Sequence, residues 1–179
     1  AADLDGRVDF IINGDNCEVG LESTVIDVSG NCPVILRPGA VTIEMLQSVV
    51  PQSQTDKNIF DTVDKPKCPG MKYTHYSPKA DVIVVCGDEF ARREYIERTA
   101  KRDESGVLVY GGNSYDGMKF VVSAGNNMKE YAKNLFYDLR LFDEHGVKTV
   151  YAEFAEEPGI GVAVKNRLYK SAGYNIVNV

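Results

Sequence analysis

From Asp81 onward, short apolar runs alternate with stretches in which apolar residues recur every three or four positions. The runs predict buried strands, and the periodic stretches predict helices packed by one face. Strands are expected at Val82–Val85, Val107–Tyr110, Phe120–Val122, Thr149–Phe154 and Tyr174–Val179. Asp88 is placed to cap a helix running to about Lys101, and Gly111-Gly112 ends the strand that follows it. Asn127, with Glu130 three positions later, forms a capping pair. The helix behind it puts Met128, Tyr131, Ala132, Leu135, Leu139 and Phe142 on one face and stops at Gly146. A last helix spans Gly161 to Ala172 and ends at Gly173. Such alternation builds an open, mainly parallel α/β sheet with right-handed crossovers.

The chain before Asp81 has a different texture. Arg7–Ile12, Gly20–Val28 and Pro33–Leu36 read as strands separated by turn residues, the third stopped by Pro38-Gly39, which predicts a twisted, partly antiparallel sheet. Thr42 then caps a helix running to Val50. Residues 51–81 carry almost no apolar periodicity, yet they hold the dense string Pro69-Gly70-Met71-Lys72-Tyr73-Thr74-His75-Tyr76-Ser77-Pro78. A passive connector is Gly/Ser-rich or charged. This one packs Met, two Tyr and a His between prolines, a composition that predicts a loop covering something.

Composition narrows the function. At 44% apolar and 26% charged residues the chain has the make-up of a globular protein, not a disordered one. Its longest apolar run, Val82-Ile83-Val84-Val85-Cys86, is too short to cross a bilayer, and its first residues lack a basic-then-apolar signal pattern. A soluble, cytoplasmic protein is expected. The net charge of −6 and the absence of a long basic block weigh against direct nucleic-acid binding. The four cysteines, Cys17, Cys32, Cys68 and Cys86, form no CxxC pair and the two histidines lie far apart, so zinc and redox motifs are missing and reduced thiols with packing roles are expected.

Four features could carry chemistry. Glu22-Ser23-Thr24 sets two hydroxyls beside a carboxylate on a predicted strand, where Ser23 and Val25 share a face. Arg37, before Pro38-Gly39, can present its planar fork to phosphate or carboxylate. From the pattern alone, a solvated strand edge and a surface arginine at a turn are the favoured readings of the same residues. Gly159-Ile160-Gly161 lies between strand and helix like a dinucleotide loop, but Val164 stands where the third glycine belongs, and helix packing and capping explain it more simply. Glu153, Glu156 and Glu157 could hold a cation, although a solvated acidic turn is the simpler expectation.

Taken in order, Gly20-Leu21-Glu22-Ser23-Thr24-Val25, Leu36-Arg37-Pro38-Gly39 and the string from Pro69 to Pro78 closely resemble the threonylcarbamoyl-AMP synthase family. The likeness is to its long form, in which a YrdC-type catalytic domain is followed by a linker and a smaller α/β domain. Gly159-Ile160-Gly161-Val162-Ala163-Val164-Lys165-Asn166-Arg167-Leu168 resembles that family's C-terminal domain. The resemblance covers the whole chain. It implies the C-terminal part of a YrdC-like twisted α/β sheet domain over residues 1–55, an aromatic and proline-rich interdomain linker and active-site lid over 56–80, and a Rossmann-like, open, mainly parallel accessory α/β domain over 81–179.

The family condenses L-threonine, bicarbonate and ATP into threonylcarbamoyl-AMP and pyrophosphate, for later transfer to tRNA by other proteins. The resemblance implies that Ser23 contacts bound L-threonine and that Arg37 contacts the nucleotide phosphates. It places Tyr73 near ATP, with Lys72, His75 and Tyr76 as further lid candidates, and it implies Mg²⁺ with the nucleotide. It assigns no catalytic residue and no protein ligand to a metal. The family's early basic motif, an early Thr and His, and a mid-domain Ser and Asn segment have no counterpart here, so a C-terminal portion, inactive alone, is expected. The alternative is a non-catalytic small-ligand-binding or partner-docking α/β module that binds at the strand C-termini of residues 81–179. A tRNA-contacting scaffold is disfavoured by the net acidity, and neither direct nucleic-acid contact nor a membrane partner is expected.

Overall fold

In the computed structural model of the protein, the described residues are 4–12, 14, 17–60 and 77–179. Near the start, β1 (Val25–Asp27) pairs antiparallel with β2 (Val34–Arg37). Helix α1 (Ile43–Gln47) follows, capped by Thr42, whose Oγ1 accepts from the Met45 N–H at 3.4 Å. A two-residue strand, β3 (Gln54–Thr55), then adds to β2 in parallel and completes a three-stranded sheet. Two expectations change here. Arg7–Ile12 forms no strand, and Phe10 and Ile12 are 91% and 97% exposed, because the run has no partner to satisfy its backbone. In the Gly20–Val28 stretch only Val25–Asp27 joins the ladder, so Ser23 lies just outside it.

The second unit follows the predicted alternation closely. Its elements are β4 (Asp81–Cys86), α2 (Glu89–Thr99), β5 (Ser105–Tyr110), β6 (Phe120–Gly125), α3 (Met128–Glu144), β7 (Thr149–Phe154), α4 (Ile160–Ser171) and β8 (Ile176–Asn178). The strands pair in parallel in the order β6-β5-β7-β4-β8. The apolar runs of β4 and β5 are continuous because both faces of the sheet are covered there. Val84, Leu108 and Ala152 face the side that holds Leu135, Leu139, Phe142, Val164 and Leu168 of α3 and α4. Their neighbours Val85, Val107, Val109 and Tyr151 face Ile96 of α2. Each fully buried Val or Leu stabilises the fold by roughly 1.5–3 kcal/mol.

Caps set the helix starts. Asp88 Oδ1 accepts from the Ala91 N–H at 3.0 Å. Asn127 Oδ1 accepts from Lys129 and Glu130 at 3.1 and 3.0 Å, while Glu130 Oε2 reaches back to the Asn126 N–H at 2.8 Å.

The two sheets are joined through α3 and α4. Gly20 sits so close to α3 that a Cβ there would lie 2.1 Å from the Lys133 carbonyl oxygen. From α4, Asn166 Nδ2 donates to the Ile59 carbonyl, and Arg167 Nε donates to Glu22 Oε2 at 2.6 Å. Ser77 Oγ donates to the Ser171 carbonyl at 2.9 Å, and the Lys79 N–H donates to Asp143 Oδ1 at 2.7 Å.

Candidate functional site

The site is built by a close approach of two backbone segments. Gly39, in the turn after β2, packs against residues 22–24: a Cβ there would lie 2.5 Å from the Thr24 nitrogen and 2.8 Å from the Glu22 carbonyl oxygen. Only glycine permits that contact. The Thr24 hydroxyl then fastens the segments, donating to the Val41 carbonyl at 2.8 Å and accepting from the Val41 N–H at 3.0 Å.

This arrangement brings Ser23 and Arg37 together. Arg37 Nε donates to the Ser23 carbonyl at 3.0 Å, and its Nη2 donates to Ser23 Oγ at 3.3 Å. Ser23 is exposed and Arg37 half-buried, so a fixed guanidinium and a hydroxyl meet at the surface. A planar cation braced in this way can hold a phosphate or carboxylate with little loss of side-chain entropy on binding. Glu22 completes the group. Burial pushes its carboxyl up, but the hydrogen bond and charge of Arg167, with the charge of Arg37, outweigh that and hold it below its ordinary value.

Ser23 and Arg37, from separate sequence motifs, are therefore one cluster. Lys72, Tyr73, His75 and Tyr76 lie outside the described residues. Sequence reasoning missed Arg167, which sits late in the chain on a helix with an ordinary pattern. It also misjudged Glu153. That residue is fully buried, not part of a solvated turn, and accepts from the Tyr110 N–H at 2.9 Å, Asn113 Nδ2 at 2.7 Å and the Tyr115 hydroxyl at 2.5 Å. Arg92 Nε stands 3.8 Å away. Alternation along β7 turns Glu153 inward, and the donors on the β5 edge make its burial tolerable. Glu156 instead pairs with Lys165, and Glu157 accepts from the Tyr110 hydroxyl.

Gly159 is the N-cap of α4 with φ at 68° and no side-chain cap hydrogen bond, and the Glu44 carboxylate is held below its ordinary value chiefly by the Thr42 hydroxyl, with a smaller contribution from the Gly159 backbone. That glycine thus serves helix capping. Among the described residues no group of three His, Cys, Asp or Glu is placed to hold a metal ion, and Cys17, Cys32 and Cys86 are free thiols. Cys68 lies outside the described residues. No helix among them is long and apolar enough to cross a membrane.

The architecture is thus a small mixed sheet, beside which Arg37 is braced on Ser23, joined to a five-stranded parallel α/β unit. A sequence profile described as "Threonylcarbamoyl-AMP synthase, C-terminal domain" matches residues 41–173, and the chain belongs to that family. It is similar to the threonylcarbamoyl-AMP synthase of Pyrococcus abyssi, 43% identical over 183 residues, covering 100% of this chain and 54% of that protein. The Bacillus subtilis threonylcarbamoyl-AMP synthase is 35% identical over 182 residues, covering 99% of this chain and 52% of its own length. The chain thus spans about half the length of the curated relatives it matches. A crystal structure of the P. abyssi protein complexed with L-threonine superposes with a TM-score of 0.87 at 41% identity, covering 97% of this chain and 52% of that one. A second structure, of the same protein with an adjacent histidine and tyrosine replaced by alanine, gives 0.80 at 40% identity over 90% of this chain and 48% of that one.

Proposed function

We propose that this chain is the C-terminal part of a cytoplasmic L-threonylcarbamoyladenylate synthase, which uses L-threonine, bicarbonate and ATP and releases pyrophosphate. The product feeds tRNA-modifying proteins, so the chain itself needs no nucleic-acid contact. The reading is carried by the Ser23–Arg37 pair, a guanidinium cation braced on a serine carbonyl and hydroxyl. It is supported by family membership and by the relative solved with L-threonine.

The chemistry fits such a pair. A carbamate oxygen displaces pyrophosphate at the α-phosphorus, which asks the protein mainly for positioning and positive charge. Ser23 offers bound threonine a neutral hydrogen bond, and Arg37 offers the phosphates charge-assisted ones. The domains follow the boundaries set out above: residues 1–55 belong to the catalytic domain, 56–80 to the lid and 81–179 to the accessory domain. By family resemblance Tyr73 serves ATP binding, with Lys72, His75 and Tyr76 as further lid candidates, and His75-Tyr76 is the one adjacent His-Tyr pair in the sequence. A lid is useful because carbamates and mixed anhydrides are lost to water. Mg²⁺ accompanies ATP in such reactions, but the described residues furnish no cluster of ligands for it, and no step is assigned to it.

The test is steady-state kinetics of the full-length synthase carrying this chain. Arg37→Ala raises the KM for ATP about tenfold or more while the protein stays folded, and a variant that uses ATP like the parent overturns the phosphate role. The 179-residue chain by itself shows no threonine-dependent pyrophosphate release.

A further inference from the structure

The interface between the two sheets holds a charged contact that reaches the substrate site. Arg167 sits on α4, in the α/β unit, and is 5% exposed. Its Nε donates to Glu22 Oε2 at 2.6 Å, its Nη1 donates to Asn166 Oδ1 at 2.8 Å, and its buried Nη2 has no hydrogen-bond partner. Asn166 in turn holds the Ile59 carbonyl. Glu22 immediately precedes Ser23, whose carbonyl and hydroxyl are the two atoms that Arg37 grips. Arg37 acts on Glu22 through its charge, whereas Arg167 also hydrogen-bonds it.

A part-buried ion pair with one guanidinium nitrogen unsatisfied adds little stability, because desolvation of the arginine offsets most of its attraction. Its better-attested use is to fix register. Here the register in question is that of residues 20–24. These residues lie outside the β1–β2 ladder, so cross-strand hydrogen bonds do not align them, and a carboxylate anchored at Glu22 sets which way Ser23 faces. Were Arg167 absent, Arg37 would be the remaining cation among the described residues that acts on the Glu22 carboxylate, which would draw the guanidinium away from Ser23.

We propose that Arg167 is a positioning residue for the substrate site, holding the Glu22 carboxylate so that Ser23 and Arg37 present a fixed pair to threonine and phosphate. The accessory α/β unit thereby contributes directly to substrate binding through one side chain. The kinetic part of this proposal rests on the synthase reading given above, and the structural part stands without it.

Two measurements test it. The first is amide hydrogen exchange on the 179-residue chain. Arg167→Ala speeds exchange of the Val41 N–H, which is held by Thr24, at least tenfold, while amides of β4 and β7 keep their protection. Glu44→Ala, which removes a contact at the other end of α4, leaves the Val41 N–H within twofold of the parent. Unchanged exchange at Val41 in Arg167→Ala, or equal loss of protection in both variants, overturns the positioning role. The second is kinetics in the full-length synthase. Arg167→Ala raises the KM values for threonine and for ATP about tenfold, Arg167→Lys recovers part of that loss, and Glu44→Ala stays within twofold. Adding Glu22→Gln to Arg167→Ala brings the KM for ATP back toward the parent value, because a neutral amide no longer competes for Arg37. Faster exchange at Val41 combined with a parent-like threonine KM in Ser23→Ala refutes the threonine role of Ser23 and leaves only the structural part of the positioning role standing. A parent-like threonine KM in Arg167→Ala beside an impaired Ser23→Ala refutes the positioning role alone.

Discussion

Gly39→Ala puts one methyl group into the contact that creates the site. The new Cβ would lie 2.5 Å from the Thr24 nitrogen and 2.8 Å from both the Glu22 carbonyl oxygen and Thr24 Oγ1. Ordinary van der Waals contact begins at 3.4 Å, so the two segments must separate by about 0.9 Å. Two of the three atoms are backbone, which cannot rotate aside. The same displacement stretches the Arg37–Ser23 bonds from 3.0 and 3.3 Å to about 4 Å, beyond hydrogen-bonding range. Overpacking of this kind costs about 1–3 kcal/mol of local stability, and a misplacement near 1 Å in a positioning site costs about 100-fold in rate. The assay is threonine-dependent pyrophosphate release by the full-length synthase, with urea unfolding of the same preparations. We expect kcat/KM for threonine to fall about 100-fold. Gly30→Ala is the matched control, because a Cβ there meets nothing within 4 Å, and it retains parent activity. A folded Gly39→Ala enzyme with kcat/KM near that of the parent would refute the geometry.

Three other outcomes follow from the buried charges. Glu153→Ala leaves the buried Arg92 without its counter-charge and the Tyr110, Asn113 and Tyr115 donors without their acceptor, and lowers stability by about 4 kcal/mol in urea titration, whereas Glu156→Ala, at a largely exposed pair, costs under about 1 kcal/mol. Burial pushes the Asp138 carboxyl up to about 7, so stability falls as pH rises from its unfolded value toward 7. Asp138→Asn removes that slope and gains about 2 kcal/mol at pH 8 but little at pH 5, as thermal melts across pH will show. Glu22 has the opposite sign: its carboxyl is held low, so its contribution to the α4 contact is present above about pH 4.3 and is lost as pH falls through its folded value, which acid titration of Val41 exchange reports.

The α/β unit was legible because its signals are local and agree with one another. Val82–Val85 and Val107–Tyr110 are unbroken apolar runs, Thr149–Phe154 is mostly apolar, and Asp88 and Asn127 stand where caps belong, so pattern and capping point to the same boundaries. The first unit was harder to read. Gln54–Thr55 pairs with β2 without any periodicity of its own, and Arg7–Ile12 has the composition of a strand but no partner. Propensity cannot report whether a partner is present. Ser23 and Arg37 were each visible through their motifs, but their contact depends on Gly39 fitting against Thr24, a fact of three-dimensional packing. Arg167 was least visible. Its role depends on Glu22, which lies at the other end of the chain, and a basic residue in a helix carries no mark of a distant acid. Glu153 was misjudged for a similar reason, since the donors that make its burial tolerable come from another strand and its following loop.

The central claim is that Ser23 and Arg37 bind two different substrates from one braced pair. Initial-rate kinetics of the full-length synthase carrying Ser23→Ala, with threonine and ATP varied separately, tests it most directly. The account predicts a KM for threonine raised about tenfold with the KM for ATP changed less than threefold, the reverse of the Arg37→Ala pattern. A Ser23→Ala enzyme with parent KM values for both substrates, or with the ATP value alone raised, would contradict it.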